Sequence, residues 1–260
     1  MSDEELLYEV SEQIGLVTFN RPQARNALTF EMYERLGDIC EGAPTDGSVK
    51  AIIVTGAGEK AFAAGTDISL FRDFHTAEQG IDYERKFARC FTRIESCPVP
   101  TIAAIAGACT GGGAGIAAVC DLRIATRSIK YGFPIARTLG NCLSTAALSR
   151  LAALLGEGRL VDIMLTSRLI EAQEALAIGL VNELVDDHRE LMQRAFALAQ
   201  QLKGHAPLTI RATKELLRRM RASAAVVDDE DVIGMIYSSA DFREGLEAFL
   251  AKRKPHWQGR

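Results

Sequence analysis

This chain of 260 residues is poor in several things that would settle its chemistry quickly. It has one tryptophan, seven prolines and four histidines, and the histidines (His75, His188, His205, His256) are scattered. Scattered imidazoles do not make a zinc site, so no metal is expected. The six cysteines (Cys40, Cys90, Cys97, Cys109, Cys120, Cys142) include no CxxC pair, and "MSDEELLYEV" has no apolar core of a signal peptide. Reduced thiols and a cytoplasmic location are the expectation. There is no stripe of Lys and Arg before the short "KRK" near the C-terminus, and the net charge is −4, which argues against a nucleic-acid partner.

Two further absences are local. From Val99 to Cys120 there is no charged residue, and between Asp121 and Glu157 there is no Asp, Glu or His. The first run is long enough to span a bilayer and contains a GxxxG. Pro98 and Pro100 at its start, glycines at its centre and the lack of an aromatic belt favour a buried strand, a tight turn and a buried helix instead, so no membrane partner is expected.

What is present is an alternation of strands and helices. "LLYEVSEQIGLVTFN" reads as two strands around a turn, and "TFEMYERLGDICEGA" as a helix capped by Thr29. "VKAIIVTGAG" and "TIAAIAG" are uninterrupted apolar strands of the kind buried on both faces. Between them come a small-residue loop, "EKAFAAGTDISLF", and the helix "DYERKFARCFTRIESCP", stopped by Pro98. A second cycle runs through a glycine turn, a short helix, "DLRIAT", "YGFP" and the helix "STAALSRLAALLG". A weaker third runs through "DIMLTSRLI", the helix "EAQEALAIG" and the strand "LVNELV". The fold class is therefore α/β with buried sheets. From about residue 187 the pattern is helical, ending in an amphipathic helix with Phe242, Leu246, Phe249 and Leu250 on one side.

The glycines of "CTGGGAGIAAVCD", residues 109 to 121, admit several uses. A phosphate loop of the Walker type needs a Gly-Lys-Ser/Thr that is absent. "GAGIAA" fits a dinucleotide fingerprint, but the acid required about 20 residues on is replaced by "YGFPIA". Two uses stay open: close packing of helix on sheet, and an oxyanion hole in which glycine N–H groups at a strand-to-helix turn hold a developing negative charge.

A second small-residue turn, "EKAFAAGTDI", also leads into a helix. Together with "FNRPQARNAL", "LTSRLIEAQEALAIGLVNELV" and "DFREGLEAFLAKRKP", in that order along nearly the whole chain, the set resembles the crotonase superfamily of enoyl-CoA hydratases and isomerases. The resemblance implies a spiral of strand-strand-helix repeats over residues 1–200, with a helical region over 201–260 that serves assembly into a homotrimer or hexamer. It implies an acyl-CoA thioester as substrate, with coenzyme A as part of that substrate and no separate cofactor. The oxyanion donors fall on the N–H groups of Thr66 and Gly112. The adenine end of the coenzyme falls against Arg25, Ala27, Ala64 and Ile68, and Phe249 and Lys252 of a neighbouring subunit complete that end. Where hydratases often carry a lysine, this chain has Ser69.

The same resemblance puts the two glutamates of the hydratases at Gly115 and at Ile135 or Ala136, so both carboxylates are absent here. Near that segment, Arg137 is read as a partner for a substrate carboxylate or a solvated cation, and Asn141 as a ligand contact or a turn cap. Cys142 reads as a small hydrophobe, Asp67 as a helix cap, and Asp73 and His75 as a solvated loop or as side chains that reach the acyl pocket. An enolate held without acids suits decarboxylation better than hydration, since a positioned acid or base is worth ~10²–10⁴ in rate; a hydrolase of the same superfamily is a further alternative. A catalytically inert acyl-CoA-binding subunit is the rival from another class, and RNA binding a third.

Overall fold

The computed structural model describes residues 5–222 and 228–260. In chain order the elements are β1 (Leu6–Ser11), β2 (Ile14–Phe19), α1 (Phe30–Glu41), β3 (Ala51–Gly56), β4 (Ala61–Ala63) and α2 (Ala77–Glu95). Then come β5 (Thr101–Ile105), β6 (Ala108–Thr110), α3 (Gly112–Val119), β7 (Leu122–Thr126), β8 (Lys130–Gly132), α4 (Ile135–Thr138) and α5 (Thr145–Leu155). The remainder is α6 (Glu157–Thr166), β9 (Ile170–Glu171), α7 (Ala172–Ala177), β10 (Glu183–Val185), α8 (His188–Lys203), α9 (Pro207–Ala222), α10 (Glu230–Tyr237) and α11 (Ala240–Leu250).

Ten strands form two sheets among the described residues, in the orders β1-β2-β3-β5-β7-β10 and β4-β6-β8-β9. The pairs β3–β4, β5–β6 and β7–β8 each send one strand to each sheet before a helix follows, which is the α/β spiral of strand-strand-helix repeats. β1 and β2 are antiparallel and turn through Glu12 and Gln13, both at positive φ, as a two-residue hairpin matched to strand twist requires. The pairs β2–β3, β3–β5, β5–β7 and β7–β10 are parallel.

The unbroken apolar runs have a direct cause. Ile52, Val54, Ala103 and Ile105 face the main core, while the alternate residues Ala51, Ile53, Ile102 and Ala104 pack with Leu191, Ala195 and Ala199 of α8. A sheet covered on both faces has no solvent side on which to place polar residues. Thr29 caps α1 by accepting from the Met32 N–H at 3.3 Å. The charge-free run from Val99 to Cys120 becomes β5, β6 and α3, and no helix among the described residues is long and apolar enough to cross a membrane.

Three expectations need correction. "EKAFAAGTDISLF" is not all loop: it holds β4 and a 3₁₀ turn at Ile68–Phe71. "DIMLTSRLI" does not open the third cycle as a single element, because α6 continues through Thr166 and only Ile170 and Glu171 pair, with β8. On α11, Phe242 and Leu246 are buried, whereas Phe249 is 48% exposed and Leu250 37%. Its apolar face is therefore split between the chain's own core and the surface.

Asp121, the first acid after the glycine run, is structural. It accepts from the Thr101 N–H at 2.7 Å and the Thr101 hydroxyl at 2.9 Å, and it pairs with Lys214 of α9. One carboxylate thereby ties the starts of β5 and β7 to α9.

Candidate active site

β4 and β6 are parallel neighbours, with Ala61 opposite Ala108 and Ala63 opposite Cys109. The turns that follow them leave the same edge of the sheet side by side, at the carboxyl ends where α/β folds bind ligands. Gly65 (φ 107°) and Gly111 (φ 52°) let these turns touch: a Cβ on Gly111 would lie 3.4 Å from the Gly65 Cα. The positive φ at both positions is what calls for glycine, since the contact itself is of ordinary van der Waals length.

Each turn offers a backbone donor. Leu28 bridges the first through Leu28 N–H to Gly65 C=O and Asp67 N–H to Leu28 C=O, both 2.8 Å. In such a parallel bridge the N–H of the intervening residue, Thr66, points away from Leu28. Gly112 is the first residue of α3, whose first internal bond is Gly115 N–H to Gly111 C=O at 3.0 Å. The Gly112 N–H thus has no partner within its helix and lies at the positive end of the dipole.

The glycines of α3, Gly112 included, also serve packing. A Cβ on Gly112 would meet the Tyr33 hydroxyl at 1.8 Å, one on Gly113 the Ala63 carbonyl at 2.3 Å, and one on Gly115 the Phe91 ring at 2.1 Å. Both uses left open by the sequence therefore coexist in one motif.

Around these donors sits a hydroxyl chain that sequence inspection misses. The Thr66 hydroxyl bonds the Tyr33 and Tyr83 hydroxyls, each at 2.9 Å, and all three residues are buried. Burial pushes both phenols above their ordinary range. Phe30, Tyr33, Tyr83 and Phe87, with Glu34 and Lys86, line a small open pocket of about 20 Å³, room for about one water. Glu84, next on α2, is 2% exposed. It accepts from the Ser144 N–H at 3.0 Å and the Tyr237 hydroxyl at 2.9 Å. Burial, against the pull of these hydrogen bonds, raises its carboxyl to about 7.

The segments expected to meet the coenzyme do come together. Ala64 N–H donates to Arg25 C=O at 3.1 Å, and the Arg21 guanidinium holds Ala27 C=O at 2.7 Å. Arg25 is exposed, while Ala27, Ala64 and Ile68 are partly so. Buried Asn26, at φ 55°, fixes this strip by donating to Ala57 and Ala61 carbonyls at 3.1 and 2.7 Å.

Other positions divide. Asp67 is the cap it resembles: burial alone would raise its carboxyl, but hydrogen bonds from Ser69 and Arg21 hold it below its ordinary value. Asp73 and His75 are exposed, with His75 beside Arg243. The Cys142 thiol is pushed up to about 12, first by burial and then by the Glu84 and Asp229 charges, so it is no nucleophile. Ile135 begins α4, Arg137 on α4 is exposed, and Asn141 donates to the Tyr237 hydroxyl at 3.3 Å. Gly115 is buried under Phe91, and Lys252 follows α11 on the surface near exposed Phe249. A cavity of about 320 Å³ by α3, α5 and α9 is a poor rival site. Its charged groups are already engaged, as the pairs Lys214–Asp121, Arg150–Glu95 and Arg221–Glu95 and as Arg123 donating to the Leu180, Ala117 and Cys120 carbonyls.

A family model described as enoyl-CoA hydratase/isomerase matches residues 9–260. The short-chain-enoyl-CoA hydratase of Clostridium acetobutylicum is 34% identical over 256 residues, 96% of this chain and 95% of that one. Among solved structures, an enoyl-CoA hydratase/carnithine racemase from Magnetospirillum magneticum is 33% identical, covering 100% of this chain and 97% of its own, with a TM-score of 0.79. A methylmalonyl-CoA decarboxylase in complex with 2-nitronate-propionyl-CoA is 26% identical, covers all of both chains and has a TM-score of 0.89.

Proposed function

Because this chain belongs to the enoyl-CoA hydratase/isomerase family of the crotonase superfamily, we propose that it acts on an acyl-CoA thioester whose enolate is held by the Thr66 and Gly112 N–H groups. The observation that carries this reading is the contact of the two turns, with one outward N–H in each. Fixed donors in a water-poor site stabilise a developing oxyanion without reorganising, worth ~10²–10³ in rate for each donor.

The coenzyme lies along Arg25, Ala27, Ala64 and Ile68. Phe249 and Lys252 reach it from a neighbouring copy in a homotrimer or hexamer, a use suited to the exposure of Phe249. Residues 201–260 form the region that completes this assembly. Ile135, Arg137 and Asn141 border the acyl end.

The reaction is not simple hydration. The positions of the family's two glutamates are Gly115 and Ile135 or Ala136, and the Phe91 ring fills the space a side chain at Gly115 would need. Decarboxylation suits the site better, because it makes its enolate by breaking a C–C bond rather than by removing a proton. The fit to a methylmalonyl-CoA decarboxylase over the full length of both chains supports it. Hydrolysis stands beside it, and a chain that binds acyl-CoA without turnover is the remaining case.

Malonyl-, enoyl- and β-oxoacyl-CoA esters incubated with the protein and followed by mass spectrometry decide among these. Loss of CO₂ from a malonyl ester is the expected product. Binding of all three without any turnover would leave the inert subunit.

A further inference from the structure

Helix α2 carries a stripe that the oxyanion site does not use: Gly80, Glu84, Phe87 and Phe91, at helical spacing, all buried. Phe87 lies against the position of a Cβ on Gly112, at 3.2 Å, and Phe91 against that on Gly115. Successive turns of α2 therefore follow successive turns of α3 in the same direction. Glu84, one turn before Phe87, lies ahead of the start of α3, on the side toward which its unpaired N–H groups point. Tyr83 beside it already reaches the Thr66 hydroxyl.

The surroundings of Glu84 are unusual for a buried carboxyl. Among the described residues it has no cationic partner. Tyr33 of α1, Tyr83 of its own helix, Cys142, Asp229 and Tyr237 of α10 are the titratable groups whose fields couple with it. None brings a positive charge. One polar atom nearby, Asn141 Oδ1, is buried without a hydrogen bond. A structural carboxyl in such a place is normally paired and its neighbours satisfied.

We propose that Glu84 is the acid–base residue of this site, exchanging a proton with the α-carbon of the acyl group, and that Tyr237 and the Ser144 N–H position its carboxyl. This rests on the acyl-CoA reading above. In the forward direction the Glu84 carboxylate takes a proton from the α-carbon, and the C–H electron pair moves to the thioester oxygen between Thr66 and Gly112. In reverse, the carboxylic acid gives its proton to the α-carbon as that pair returns. After a decarboxylation the same donation quenches the enolate, and water restores the proton to the carboxylate. Burial keeps both protonation states populated near neutrality.

Acetyl-, propionyl- and butyryl-CoA are incubated with the protein in D₂O, and deuterium at the α-carbon is read by mass spectrometry across pH. The wild type is expected to incorporate deuterium at a rate that rises through about pH 7, where the carboxylate forms. Glu84→Gln, still binding the esters, is expected to lose ~10²-fold or more together with that pH step. Tyr237→Phe removes a hydrogen bond to the carboxylate and should move the step to higher pH, a displacement that a purely structural Glu84 would not produce. Equal rates and an unmoved profile in both variants would overturn the role of Glu84 while leaving the oxyanion reading intact. Bound esters that exchange in no variant, wild type included, would overturn both.

Discussion

The substitution Gly115→Ala puts the packing of the glycine helix to a quantitative test. Helix propensity alone favours alanine, by up to ~1 kcal/mol. Against this, the new methyl would lie 2.1 Å from Phe91 Cζ and 2.9 Å from Cε2. Phe91 is 3% exposed and its ring centroid is 4.4 Å from that of Phe87, so it has little room to swing aside. Overpacking of this kind costs about 1–3 kcal/mol, enough to cancel or reverse the propensity gain. Gly158 supplies the internal control: it also lies in a helix, α6, but a Cβ there would meet nothing within 4 Å. Urea denaturation should therefore show Gly158→Ala at or above wild-type stability and Gly115→Ala below it. Adding Phe91→Leu should recover part of the loss, giving a coupling of about 0.5–3 kcal/mol between the two sites. Gly115→Glu would be worse than Gly115→Ala, since it must also bury a carboxylate, and it should not raise hydration. Equal stabilisation by both alanines, with no coupling to Phe91, would refute the contact and reopen the slot for an acid.

Three further outcomes are expected. The raised Glu84 carboxyl means that the native state holds its proton more tightly than the unfolded chain, so stability falls as pH rises from about 4.5 to about 7. The gap corresponds to about 3 kcal/mol; Glu84→Gln should flatten that slope in denaturation curves, and an unchanged slope would place the titration elsewhere. Tyr33→Phe and Tyr83→Phe each remove one bond to the Thr66 hydroxyl and should cost about 0.5–1.5 kcal/mol. The double variant strands the hydroxyl and should cost more than the sum, whereas strict additivity would mean the three hydroxyls do not act together. Crotonyl-CoA hydration should be slow in the wild type and unchanged by Asp73→Asn, since Asp73 is exposed; brisk hydration lost in that variant would make Asp73 the missing acid.

What the sequence made legible followed from local chemistry. The buried strands β3 and β5, the Thr29 cap of α1 and the glycine turn before α3 are visible because apolar runs, cap residues and glycines act over a few neighbours. β4 and β9, with three and two residues, are too short to show a period, and α6 hides because "DIMLTS" is equally apolar as strand or helix. The donors Thr66 and Gly112 lie on recognisable turns. Their supports Tyr33 and Tyr83 do not, nor does Tyr237, which holds Glu84: the three come from three helices and read as ordinary core aromatics. One signal was available. In "GIDYERKFARCF" Glu84 stands four residues after Gly80 and three before Phe87, an acid on the apolar stripe of its helix. Asn26 gave a weaker hint, as an asparagine at a turn with φ above zero.

The central claim is that a thioester oxygen sits between two backbone N–H groups, and the carbonyl itself can report it. An acyl-CoA labelled with ¹³C at the thioester carbon, bound to the protein, gives an isolated carbonyl stretch by difference infrared spectroscopy. Proline at Gly112 removes one donor at a helix position that tolerates it, but its ring would strike the Tyr33 hydroxyl. The comparison is therefore Tyr33→Phe with and without Gly112→Pro. The account predicts a stretch well below that of the free ester in the wild type and in Tyr33→Phe, moving back toward the free value when Gly112→Pro is added. A carbonyl band that matches the free ester in the wild type, or that ignores the proline, would contradict it.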